Sequence, residues 1–173
     1  MKLSYYLFAV LIVGCIFSCT PPQYSYGELP EVRIHFGAGG GVAGLKSEFI
    51  LLENGQVFRS VAQPTGKVLE QEELKPNTKR EAKDYFKRLD SMRIVKYDFF
   101  HPDNYYYFLR MVDDQIDHKL EWGDLDHPVR VDVQSFYQDL QKMVDGRPGV
   151  ASNEEEVKKE EEEGGVPEFE GWE

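Results

Sequence analysis

Beyond residue 19 the sequence contains no cysteine. A disulfide framework and a cysteine-ligated zinc site are therefore excluded from the rest of the chain. No stretch is apolar over the ~20 residues that a bilayer-crossing helix needs, and the run from Tyr5 to Phe17 falls short of it. Basic charge is scarce: 20 Lys and Arg stand against 31 Asp and Glu, a net charge of −11. A chain so poor in positive charge lacks the phosphate-neutralising surface of a nucleic-acid-binding protein. Catalytic signatures are missing as well. No serine stands in a Gly-x-Ser-x-Gly elbow, and no Gly-Lys-Ser/Thr follows the glycine cluster. None of His35, His101, His118 and His127 has the His-x-x-x-His spacing of a zinc site, and no metal ligand set and no cofactor is expected.

The two ends differ in composition from the middle. Lys2 followed by the apolar run Tyr5–Phe17 reads as a signal peptide over residues 1–18. Ile16-Phe17-Ser18-Cys19 resembles a bacterial lipobox, which implies lipidation of Cys19 as the first residue of the mature chain. Ile12-Val13-Gly14-Cys15 also fits that pattern, but apolar Ile16-Phe17 follows Cys15, whereas polar Thr20-Pro21-Pro22 follows Cys19. Residues 19–30 then read as an extended tether. At the other end, residues 151–173 hold ten Glu and two Lys, a charge of −8 that leaves −4 for Cys19 to Val150. Like-charge blocks such as Glu160–Glu163 bury no apolar area, so 147–173 is expected to be an acidic disordered tail. Phe169 and Trp172 are the aromatic exceptions within it.

The domain between them, 31–146, is organised around Glu31 to Ala62. Val32, Ile34 and Phe36 alternate with Arg33 and His35, the period-2 pattern of a half-buried strand. Gly37, Gly39, Gly40, Gly41 and Gly44 read as a glycine-rich loop. A second strand ends at Glu53, Asn54-Gly55 marks a hairpin with positive φ at both turn positions, and Gln56–Ala62 returns. Apolar residues on both faces of Phe49–Leu52 place the second strand centrally. Gln63–Pro76 reads as loop, with a turn of helix at Val68–Leu74. Thr78-Lys79-Arg80-Glu81 is a capping box opening a helix to Ser91, whose stripe is Ala82, Tyr85, Phe86, Leu89 and Met92. Arg93–Asp98 reads as a short strand, Phe99–Asn104 as a turn, and Tyr105–Val112 and Gln115–Trp122 as a strand pair. Val133, Phe136, Tyr137, Leu140, Met143 and Val144 form the stripe of a last helix from Asp132, stopped by Gly146. The expected fold is α+β: an antiparallel sheet of about five strands with two helices packed on one face.

Several residues are candidates for chemistry. Gly39 to Gly44 matches Gly-x-Gly-x-x-Gly, but a strand rather than a helix follows it, so no nucleotide is expected. The same glycines, with Val42, make a candidate contact loop: Gly39, Gly40, Gly41, Val42 and Gly44. The strand Tyr105–Tyr107 must turn tyrosines to both faces, so either Tyr106 or its neighbours Tyr105 and Tyr107 are exposed if one face is wet, and Tyr106 joins the candidate binding set. Asp124, Asp126 and His127 in one loop are the best hydrolase candidate.

Gly40-Gly41-Val42-Ala43-Gly44 is similar to the Gly-Gly-aromatic-Ala-Gly of the emfourin family of metalloprotease inhibitors. Tyr105–Val112, Lys119 to Asp124 and the helix Val133–Val144 resemble that family's ending of strand pair, polar loop and helix. The resemblance implies a tethered protease inhibitor. With its lipobox, the chain is also similar to envelope lipoproteins of Bacteroidetes-type bacteria. The primary expectation is thus a lipid-anchored, non-enzymatic binding module of the bacterial cell envelope, partnered with the membrane through its lipid and with an envelope protein.

Overall fold

A computed structural model of the chain describes residues 22–150. The signal peptide, Cys15, Cys19 and the acidic segment from Ser152 lie outside the described residues.

Among the described residues the fold is α+β, with seven strands in one open sheet and two helices. In chain order these are β1 (Arg33–Gly40), β2 (Leu45–Leu52), β3 (Val57–Ala62), β4 (Val68–Leu74), α1 (Lys79–Ser91), β5 (Phe100–His101), β6 (Tyr105–Val112), β7 (Asp117–Trp122) and α2 (Val131–Val144). The spatial order is β4-β3-β2-β1-β6-β7-β5. All neighbours are antiparallel except β5, which runs parallel to β7. The sheet is therefore mixed and has seven strands rather than five. No described helix is long and apolar enough to cross a membrane.

Three corrections account for the difference. Val68–Leu74 is an edge strand, not a turn of helix. Its glutamates lie across from β3, and Arg59 Nη1 donates to Glu72 Oε1 at 2.8 Å, so cross-strand charge pairing holds a sequence that lacks apolar alternation. Residues 94–96 form a 3₁₀ turn instead of a strand, entered through Arg93 in the left-handed region at φ 51°. Phe100–His101, expected to turn, pairs with Glu121 and Trp122.

The glycine stretch is the fourth correction. Gly37, Gly39 and Gly40 belong to β1, paired on one side with β2 and on the other with β6. Only residues 41–44 form the connection. Bare backbone in the centre of the sheet makes room on both faces. On the helix-free face the Tyr106 ring lies over Gly39, and Phe108, opposite Gly37, carries Lys46 Nζ 4.6 Å and Lys119 Nζ 5.3 Å from its ring centre. The Asn54-Gly55 hairpin forms in a different turn. Only Gly55 has positive φ, at 102°, and Leu52 N–H donates to Gln56 O, the three-residue loop that uses a left-handed glycine.

Both helices pack on one face. Leu89 and Ala82 of α1 and Phe136, Leu140 and Val133 of α2 close over Ile34, Phe36, Leu51, Leu109 and Leu120, all of them buried. Each large side chain contributes ~1.5–3 kcal/mol by leaving water. Thr78 and Glu81 form the expected capping box, each side chain reaching the other's backbone N–H.

The opposite face is covered in part by the segment read as a tether. Tyr24, Tyr26 and Leu29 pack on Ile50, Leu52 and Phe58. Tyr24 N–H donates to Gln56 Oε1 at 2.9 Å, and Asn54 Nδ2 donates to Pro22 O at 2.8 Å. Apolar tyrosine rings have a better partner in this sheet face than in water, so residues 22–30 lie against the sheet. Residues 147–150 are joined to it as well. Val150 N–H donates to Glu73 O, Lys75 N–H donates to Pro148 O, and Arg147 caps Lys75 O and Asn77 Oδ1.

Candidate functional site

Antiparallel pairing gathers four connections at one end of the sheet: 41–44, 63–67, 102–104 and 123–128. The register ties them together. Gly40 lies between Leu45 and Tyr105, and Trp122 lies opposite Tyr107. Gly41 N–H donates to Asn104 O at 2.7 Å, which joins the first connection to the start of β6. Asn54 and the docked Pro22 are at the other end of β2, about 25 Å away for eight residues of strand.

Of the candidate contact loop, Gly41, Val42 and Gly44 lie in the connection, and Val42 is fully exposed at its tip. Gly39 and Gly40 lie in β1 and are floor rather than loop. Tyr106 is half-buried against Gly39, on the face away from the helices. The exposed rings are its neighbours Tyr105 and Tyr107, 52% and 37% accessible. Tyr106 is placed inward because the missing side chain at Gly39 leaves a slot of ring width; its neighbours are turned to the other face, where Tyr107 meets Tyr137 of α2.

There the small residues of β1 open a hollow of about 230 Å³. Gly37 and Ala38 line it together with Tyr105, Tyr107, Tyr137 and Gln141. Tyr107 meets Tyr137 edge-on at 5.5 Å and stacks on Trp122 at 6.0 Å. Tyr137 OH donates to Gly37 O at 2.9 Å and accepts from Gln141 Nε2 at 2.9 Å. Burial, with the tyrosines nearby, raises the Tyr137 hydroxyl above the usual phenol range, so it serves as a neutral hydrogen-bonding group. Ser47, Phe49 and Gln141 also line a larger hollow of about 600 Å³, whose far end reaches Arg59, Glu72 and Arg147. The two make one groove along α2, aromatic at one end and charged at the other.

The hydrolase trio is divided by the fold. His127 Nδ1 and Asp124 Oδ2 are 2.7 Å apart. Asp126 contributes its backbone N–H to Asp124 Oδ1 at 2.9 Å. The third side chain of the cluster is His101 of β5, whose ring stacks on that of His127 at 4.4 Å. One ligand atom each from His101, Asp124 and His127 fall within 4.8 Å of one another. The hydrogen bond from His127, then that from the Asp126 backbone, lowers the Asp124 carboxyl below its ordinary range. These residues are half-buried or exposed and do not line the groove.

No known family model matches the chain, and neither does any curated protein.

Sequence reasoning missed Tyr105, Tyr107, Tyr137 and Gln141 as a group because they meet only through the β1–β6 register and α2. Tyr137 and Gln141 are one helical turn apart, and that i, i+4 spacing was the available signal. His101 was missed because it is far from Asp124 in sequence and β5 pairs in parallel with a strand later in the chain.

Proposed function

We propose that this chain is a lipid-anchored binding module of the bacterial cell envelope, which holds an extended segment of an envelope protein along the α2 groove. The observation that carries this reading is the hollow floored by Gly37 and Ala38 of β1 and walled by Tyr105, Tyr107 and Tyr137. Tyrosine supplies large, rigid contact area with a polar end, and bare backbone lets a partner chain approach closely. The Gln141 amide gives such a chain a group to bond.

The placement of the ends supports the same reading. Docked Pro22 is three residues from Cys19, a reach of ~10 Å in an extended chain. A lipid on Cys19 would hold the Asn54 end near the bilayer and turn Val42 and Tyr105 away from it. Cys19→Ala should move the protein from the membrane fraction to a soluble or unprocessed form, since several acyl chains on one residue give stable anchoring. Fractionation with an acylation label checks this. Acylation that persists in Cys19→Ala and is lost in Cys15→Ala would assign the anchor to Cys15.

Tyr105→Glu and Val42→Asp test the binding surface. Both side chains are exposed, so stability should change by no more than about 0.5 kcal/mol. Envelope proteins cross-linked to and recovered with the full-length wild-type chain should be lost from Tyr105→Glu. Equal recovery by both variants would remove this end of the sheet from the function.

A second reading has its own observation. Val42, in the place of the aromatic in the emfourin-like motif, stands fully exposed on a short turn held at both ends by strands. Such a turn can enter a protease cleft. Inhibition of a thermolysin-type protease by wild type, abolished in Val42→Asp but retained in Tyr105→Glu, would favour the tethered inhibitor. Asp124 and His127 remain as a paired acid and base for the hydrolase alternative, with His101 in place of Asp126.

A further inference from the structure

We propose that His101, Asp124 and His127 form a binding site for a divalent transition-metal ion of the zinc class. Two imidazoles and one carboxylate are a donor set suited to zinc, with a fourth position left for water or for a side chain from a partner.

The fold brings the three together with local devices. Tyr97, Phe99 and His101 alternate along one extended segment, and their rings form a row with His127, with 5.4 Å, 4.8 Å and 4.4 Å between successive centres; the first and last pairs are stacked and Phe99 is tilted at 53° to His101. The row holds the His101 ring between Phe99 and His127, and its nitrogens make no protein hydrogen bond among the described residues. Asp124 N–H donates to His101 O at 3.1 Å, so the carboxylate and the first imidazole share one anchored piece of backbone. Asp124 Oδ1 accepts from Asp126 N–H, which orients the carboxylate with Oδ2 toward His127. A bond of this kind behind a carboxylate is what outer-shell partners of metal ligands provide.

The spacing is close to what an ion needs. Tetrahedral ligand atoms ~2.0–2.1 Å from zinc lie about 3.3 Å from one another. His127 Nδ1 and Asp124 Oδ2 are at 2.7 Å and the trio spans 4.8 Å. Closing it requires the His127 ring, now nearly parallel to His101 at 10°, to tilt so that both lone pairs meet. The His127 side chain is 56% exposed, in a loop, and free to do this. As the ion enters, it replaces the hydrogen bond between His127 Nδ1 and Asp124 Oδ2, and the ring proton of the neutral imidazole moves by way of solvent from Nδ1 to Nε2, leaving Nδ1 as the ligand. Ligation would clamp β5 to the loop after β7. Phe100, 70% exposed beside His101, and Leu125, 93% exposed between two ligands, would then be fixed at the same end of the sheet as Tyr105.

The test is calorimetric titration of the full-length protein with ZnCl₂ alone and with CaCl₂ alone, on wild type, His101→Ala, Asp124→Asn and His127→Ala. Glutamates at 154–156 and 160–163 can also hold cations weakly, so the comparison between variants is decisive. Wild type should bind one equivalent of zinc at least tenfold more tightly than any of the three variants, with no corresponding calcium site. Substituting Co²⁺ should give wild type the visible absorption of a low-coordinate site, absent in His127→Ala. Circular dichroism separates a lost site from a lost fold, and Asp124→Asn preserves the size of the side chain. Zinc binding equal in wild type and His101→Ala would overturn the proposal, as would a wild type that binds zinc no more tightly than calcium.

Discussion

Gly40→Ala should be among the most damaging single-methyl changes in this protein, costing on the order of 3 kcal/mol or more. Gly40 has φ +96°, where an L side chain is strained, and its added Cβ would sit inside the contact distance of the Asn104 carbonyl oxygen. Neither partner can retreat. The Asn104 carbonyl already accepts from Gly41 N–H, and Gly40 is held by β2 on one side and β6 on the other. One residue later the outcome reverses. Gly41 has φ +72° but nothing within 4 Å of the added Cβ, so Gly41→Ala should cost only about 1 kcal/mol. Chemical denaturation of the two variants beside wild type measures the contrast. Equal, small losses would mean that the Asn104 backbone yields, and that the start of β6 is softer than its pairing indicates.

That contrast also explains what the sequence showed and what it hid. Alternation in Ile34 and Phe36, the Thr78–Glu81 box and the stripe from Val133 to Val144 each report a local cause, namely burial on one face or a capped helix end, and each is found in place. Gly37 to Gly40 misled for a physical reason. Glycine has low intrinsic preference for strands, but these glycines are in a strand because the Ser47 backbone, the Tyr106 ring and the Asn104 backbone occupy the space the side chains of Gly37, Gly39 and Gly40 would fill. For Gly39 and Gly40 that cause lies in a strand far along the chain, and in no case does it leave a local pattern. β4 was hidden by its charge: Glu70 and Glu72 suit an edge strand only because Arg59 lies across from them. β5 has two residues and no period to read. The groove and the histidine cluster were illegible for the same reason. Asp124 and His127 are neighbours in sequence and were found together, whereas His101, Tyr137 and Tyr107 join their sites through register alone.

Glu48→Ala should cost about 3 kcal/mol at neutral pH, because it strands a buried histidine and removes one member of a partly buried ion pair. His35 is 6% exposed in the middle of the sheet. Arg33 Nε donates to its Nε2 at 2.9 Å, so that nitrogen carries the lone pair and the ring proton resides on Nδ1. That proton is donated to Glu48 Oε1 at 3.1 Å, and Lys46 Nζ is 3.1 Å from the same oxygen. Burial pushes the Glu48 carboxyl up, but the His35 hydrogen bond and the Lys46 charge together outweigh it and hold the group down at about 2, against an ordinary 4.5. The sign follows from this depression. An unfolded chain takes up the proton near pH 4.5 while the folded one resists it, so the stabilisation is complete above pH 4.5 and is lost as pH falls toward 2. Other paired carboxylates, Asp117 beside Arg110 among them, weaken over acid pH too. The informative quantity is therefore the stability difference between wild type and Glu48→Gln, which keeps the shape and has no charge to lose. That difference should be constant from pH 7 to about 5 and shrink steadily between 4.5 and 2. A difference that persists unchanged at pH 2.5 would mean that the carboxylate charge contributes nothing, and that Glu48 serves His35 only as a hydrogen-bond acceptor of the right shape.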